Sequence, residues 1–227
     1  MQTIADNVRL LRERIAAAAE RAGAAPESVS LVAAAKTRTP AEIRAAVEAG
    51  IEIVGENRVQ EAEPKIAELA GLDCAWHMVG HLQRNKAGKA LRLFDLLQSL
   101  DSRRLADELQ KRAAAAGKIF PVLVEVNTSG EETKYGVSPE EAPDFVAYVA
   151  SRANLGLEGL MTVGPLAGGP EAARAAFRTL RRLFEKTAPT GGASFRYLSM
   201  GMTEDFELAI EEGSNMVRVG RAIFGPR

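Results

Sequence analysis

The chain has 227 residues and 24.3 kDa, with 29 Lys+Arg against 30 Asp+Glu, so its net charge is −1. That balance leaves no basic excess to displace counterions, and nucleic acid is excluded as an expected partner. Cys74 is the only cysteine, so no internal disulfide can form, and no apolar run approaches the ~20 residues of a membrane span.

Within residues 1–23, Ile4, Val8, Leu11 and Ile15 recur at helical spacing, and the charges between them interrupt any signal-peptide core. The segment is expected to be an amphipathic helix packed on the domain, in a cytoplasmic protein. From residue 29, short apolar runs alternate with Ala-, Glu- and Arg-rich stretches. Strands are expected at 29–35, 51–55, 75–79, 96–99, 121–127, 155–163, 195–199 and 216–220. Helices are expected near 40–49, 58–70, 84–93, 102–116, 138–152, 170–187 and 203–212, with caps at Thr39, Asp101 and Ser138. Gly50, Gly71, Gly117 and Gly213 stand where helices should stop. Strands alternating with helices imply right-handed βαβ units. The expected fold is a single α/β domain over 1–227, a (β/α)8 TIM barrel with an extra N-terminal helix. An open doubly wound sheet with fewer strands is the rival.

Barrels of this kind carry their active sites at the C-terminal ends of the strands. The first strand ends on Lys36 after three alanines, where a desolvated amine would become a Schiff-base nucleophile; the alternative is a solvated strand-end lysine. Asn57 ends the second strand, able to orient a ligand hydroxyl or to cap the next helix. His77 lies on the inward face of the third, either stacking on a planar ligand or hydrogen-bonded in the core. His77 and His81 sit on a strand and turn, so their spacing does not make a zinc site. The polar segment 128–136 is long enough for a lid, from which Lys134 and Tyr135 could reach a bound ligand, though solvent exposure is the favoured expectation for both.

The far end carries the strongest pattern. Ser199, Gly201, Met202 and Thr203 join the seventh strand to a helix, and Gly220 and Arg221 follow the eighth. Glycine at a strand–helix junction lets backbone N–H groups converge on an anion, and loops after strands seven and eight commonly bind phosphate. Arg218, inside an apolar strand, cannot deprotonate and must find an acceptor, either Glu125 or a ligand atom.

The segments AAAKTRTP, GENRVQE, WHMVGHLQRNK, NTSGEETKYG, GLMTVG and SMGMTEDFELAIEEGSNMVRVGRAIFG resemble the pyridoxal phosphate homeostasis protein family over about residues 4–225. The resemblance implies a barrel like the N-terminal domain of alanine racemases. It implies pyridoxal 5′-phosphate on Lys36 as an internal aldimine, with its phosphate held around Ser199–Thr203 and Gly220–Arg221. Asn57 and His77 match positions beside the cofactor ring, and Arg218 the arginine near the pyridine nitrogen. It further implies a role in buffering the cofactor, in delivering it to apoenzymes, and in vitamin B6 and amino-acid/keto-acid balance, with no firm catalytic activity. A cation at the pyridine nitrogen weakens the ring as an electron sink. The chain is also expected to lack the additional domain from which related racemases bring a second base. The alternatives are a racemase closed by Tyr135 or Lys134, and a Schiff-base aldolase on sugar phosphates. A monomer is expected.

Overall fold

The computed structural model describes residues 2–226, so Met1 of the expected N-terminal helix and Arg227 at the end of the expected domain lie outside it. Eight parallel strands close in chain order: β1 (Ser30–Ala34), β2 (Ile53–Glu56), β3 (Ala75–Met78), β4 (Leu96–Leu100), β5 (Phe120–Glu125), β6 (Leu155–Met161), β7 (Tyr197–Ser199) and β8 (Met216–Val219). Pairing of Ser30 with Met216 and Val32 with Arg218 joins β8 back to β1, which excludes the open sheet. Eight strands give a barrel just wide enough for side chains to fill.

Helices α1 (Ile4–Arg21), α2 (Pro40–Glu48), α3 (Val59–Glu68), α4 (Ala87–Leu93), α5 (Arg103–Ala115), α6 (Ala142–Ala150), α7 (Gly169–Gly191), α8 (Phe206–Glu211) and α9 (Arg221–Phe224) accompany them. Each expected strand and helix is present, most with ends trimmed by a few residues. The short α9 has no counterpart among the expected helices. Thr39 caps α2 reciprocally with Glu42, as its sequence suggests.

Two caps differ. Ser102, not Asp101, is the N-cap of α5, because the Asp101 carboxylate is drawn to His81 across the mouth. Ser138 and Glu141 bond to each other's backbone N–H, but this closes a turn, and α6 begins only at Ala142.

The core has two parts. Val32, Leu96, Leu123, Met161 and Met216 fill the barrel interior, while a larger set packs strands against helices. On α1, Val8, Leu11, Ile15, Ala18 and Ala19 form the buried stripe. Among the described residues no helix is long and apolar enough to cross a membrane.

Gly159 in β6 has φ 152°, and a Cβ there would lie 1.9 Å from the Tyr197 carbonyl oxygen of β7. Only a residue without Cβ allows β6 and β7 to close at this point. Gly159→Ala is expected to destabilise the protein by at least about 2 kcal/mol, read as a lowered urea midpoint.

Candidate functional site

At the C-terminal end of the barrel, four buried polar side chains form a directed chain. The Arg218 guanidinium, 5% exposed, donates through Nη1 to Ser199 Oγ at 2.6 Å and through Nη2 to the Thr162 carbonyl at 2.7 Å. Ser199 donates onward to Gln98 Oε1 at 2.7 Å, and Gln98 Nε2 donates to His77 Nδ1 at 3.0 Å. Arginine has only donors, so Ser199 must accept from it and pass its own proton on; this orients the Gln98 amide and leaves His77 with its proton on Nε2. Burial pushes the His77 imidazole down to about 4, so the ring is neutral at physiological pH. Burial also draws Arg218 down to about 10, against the charges of Glu125 and Asp205, and it stays cationic. The expected Arg218–Glu125 pair is not among its hydrogen bonds.

Lys36 sits just beyond β1 in a turn closed by Arg38 N–H on the Ala35 carbonyl at 3.0 Å. It is exposed, with no partner among the described residues, rather than desolvated. Thr37 beside it has φ 65°, the left-handed region, which is uncommon for a β-branched residue and marks local strain. The turn is tied from both sides. Lys65 of α3 donates to the same Ala35 carbonyl at 3.0 Å and to the fully buried Glu56 at 2.7 Å. Arg38 donates to the carbonyls of Phe224 at 3.3 Å and Gly225 at 2.6 Å. Burial raises the Glu56 carboxyl although Lys65 opposes the shift, and its Oε2 has no partner.

The loops after β7 and β8 meet: Arg218 N–H donates to the Gly201 carbonyl at 3.0 Å, and Arg221 pairs with Glu204 at 2.9 Å across exposed surface. Gly201 has φ 96°, and a Cβ there would press on Phe206 and Ala209. The N–H groups of Gly201 and Thr203 have no partner among the described residues, whereas Met202 N–H donates to Asp205 Oδ1 at 2.6 Å. Burial raises the Asp205 carboxyl. Because α8 has six residues and α9 four, an anion placed here would be met by free amides rather than by a helix dipole. The Ser199 hydroxyl is fully buried and committed to Arg218 and Gln98.

Lys134 is not solvent-exposed as expected. Its ammonium donates to Glu131 at 3.0 Å, Ser129 at 3.1 Å and the Gly164 carbonyl at 2.6 Å. Tyr135 is 57% exposed, yet it stacks on His81 with ring centroids 3.8 Å apart. This stack borders a cavity of about 640 Å³ reached by Asn57, Gly80, His81, Lys86 and Tyr135. Asn57 is half-buried and does not cap α3, whose N-cap is Arg58. Among the described residues no group of three or more His, Cys, Asp or Glu is arranged to hold a metal.

Fold and site together define a barrel of the alanine racemase N-terminal-domain class, and that family's sequence model, alanine racemase, N-terminal domain, matches residues 1–227. The pyridoxal phosphate homeostasis protein of Aquifex aeolicus (strain VF5) is 44% identical over 215 residues, covering 95% of this chain and 94% of its own. A solved structure of an unknown protein from Bifidobacterium adolescentis superposes with a TM-score of 0.91 at 42% identity, covering 97% of this chain and 94% of that one. PipY of Synechococcus elongatus PCC7942, solved with PLP bound, gives 0.84 at 34% identity, covering 98% of this chain and 100% of PipY. The chain belongs to the pyridoxal phosphate homeostasis protein family.

Lys65→Met, which leaves Glu56 buried and unpaired, is expected to destabilise the fold by about 3–5 kcal/mol near neutral pH. Adding Glu56→Gln should recover part of that loss in urea unfolding. His77 titrates lower in the folded chain than its ordinary 6.5, so the unfolded chain takes up protons first. Stability should therefore fall as pH drops from 6.5 towards 4, by up to on the order of 3 kcal/mol, and the dependence should flatten in His77→Asn.

Proposed function

We propose that this protein binds pyridoxal 5′-phosphate in the barrel mouth as a cytoplasmic, monomeric carrier that buffers the cofactor and hands it to apoenzymes. It thereby maintains vitamin B6 and amino-acid/keto-acid balance. The observation that carries this reading is a buried, cation-led polar layer at the same end of the barrel as an accessible strand-end amine and a loop after β7 with two backbone amides unpartnered among the described residues.

The residues fit the group. When bound, pyridoxal phosphate supplies an aldehyde that condenses reversibly with a primary amine. Lys36 is that amine: it is accessible and uncommitted, and its turn is tied by Lys65 and Arg38. The amides of Gly201 and Thr203, with the Gly220–Arg221 segment beside them, hold the phosphate. Met202 N–H joins them if Asp205 withdraws. His77 offers its Nε2–H and a neutral ring face, Asn57 its amide, and Arg218 a permanent charge that gives up no proton at physiological pH. Ser199 acts one step back, by fixing Arg218.

Racemisation is the weaker reading. It needs acid–base groups on both faces of a substrate, and the Lys134 ammonium, one candidate, is occupied by three acceptors. Tyr135, the other, keeps its place on His81.

Borohydride reduction of protein mixed with pyridoxal phosphate should add one ligand mass, mapped by peptide analysis to Lys36. The adduct should be absent in Lys36→Ala. An adduct on another lysine, or undiminished labelling of the variant, would remove Lys36 from its role. No α-deuterium should enter amino acids incubated with the protein in heavy water; sustained exchange would favour the racemase.

A further inference from the structure

His77, Gln98, Ser199 and Arg218 satisfy one another, and Glu125 does not join them. It closes β5 and is 7% exposed. Glu125 pairs in register with Met161 of β6, and Met161 with Ser199 of β7. Paired residues of parallel strands share a face, Met161 packs in the barrel interior, and Ser199 donates to Gln98 there. Glu125 therefore faces the same space. At ~4.8 Å per strand, its Cα lies roughly 10 Å from that of Ser199, whose hydroxyl carries Arg218. Among the described residues nothing donates to its carboxyl, and its oxygens are not among the fully buried unpartnered atoms, so water still reaches them. A carboxyl this buried, without a donor, points to a ligand.

The charged groups around it are few. Asp101, from the connection after β4, faces it and is itself bound to His81 Nδ1 at 2.8 Å; Arg218 faces it from β8. Glu131 and Lys134, in the connection after β5, pair with each other. Burial, with the Asp101 charge, pushes the Glu125 carboxyl up to about 7 against the pull of Arg218. It thus stands near half-protonation at neutral pH.

We propose that Glu125 is a ligand-contacting residue of the mouth that, as the neutral acid, donates a hydrogen bond to an acceptor on the ring of a bound pyridoxal-type phosphate. Binding is thereby coupled to uptake of a proton. The inference rests on the cofactor-binding reading. A ligand seated in the mouth strips the remaining water from Glu125 and adds an anionic phosphate nearby, and both favour the acid form. The pocket consequently selects a heteroaromatic phosphate ester with an acceptor at the ring edge, and holds it more tightly as pH falls.

Pyridoxine 5′-phosphate, an alcohol that cannot bond covalently to Lys36, isolates the effect. Titration calorimetry in buffers of different ionisation enthalpy should show the wild-type protein taking up more protons per ligand than Glu125→Gln, which mimics the acid form. Between about pH 6.5 and 8.5 the wild-type affinity should fall about tenfold further than that of the variant, because one proton taken up on binding changes affinity by up to about tenfold per pH unit. Equal proton uptake with parallel pH profiles would overturn the inference. Failure of both proteins to bind would overturn the cofactor reading instead.

The ligand-free protein gives a second measurement. The folded Glu125 titrates above its ordinary 4.5, so stability is lost as pH rises from there to about 7. Glu125→Gln should melt higher than wild type near pH 8 and level with it near pH 5. Coincident melting curves at both values would contradict a buried carboxyl.

Discussion

The buried guanidinium of Arg218 dictates the direction of the hydrogen bonds around it. It can only donate, so Ser199 must receive and pass a proton to Gln98, and Gln98 must present its NH2 to His77. One cation thus sets a hydroxyl direction, an amide orientation and a histidine tautomer on three other strands. Burial holds His77 neutral, and it draws Arg218 down only to about 10, opposed by the charges of Glu125 and Asp205, so the guanidinium stays charged. A ligand entering the mouth meets a surface whose donors are already aimed, and pre-oriented donors need no reorganisation when charge arrives.

Around this layer lie the parts proposed to bind the cofactor. Lys36 stands outside the last strand residue on a turn with a left-handed threonine, restrained by a buried Lys65–Glu56 pair and by Arg38. The anion loops keep free amides, partly masked by Asp205, and the connection after β5 rests on the mouth through one aromatic stack and the bonds of Lys134. A carrier must both capture and release.

Much of this was legible in the sequence because buried parallel strands read as short continuous apolar runs, and their number and spacing leave little choice of fold. Lys36, Asn57 and the glycine loops stand out as candidates because polar or glycine residues at the ends of such runs are conspicuous, and His77 and Arg218 because they interrupt apolar strands. Gln98 is not among the candidates, although a lone amide inside LLQSL is itself a buried-polar signal. The sequence offers Arg218 either Glu125 or a ligand atom as acceptor, but its bonds to Ser199 and the Thr162 carbonyl exist only once β6, β7 and β8 are side by side. Asp101 likewise lost its cap to a histidine twenty residues earlier. Lys65 reaches the Lys36 turn from another helix, a relation no local pattern encodes. What the sequence withheld was tertiary hydrogen bonding.

The central claim is that the mouth is a cofactor site already assembled around Arg218. Diffraction from crystals grown with pyridoxal phosphate tests it most directly. The account predicts density continuous from Lys36 Nζ to the ring, phosphate against the amides of the loops after β7 and β8, and the Arg218–Ser199 bond unmoved. A ring lodged elsewhere, or Arg218 swung away from Ser199 to meet the phosphate, would contradict it.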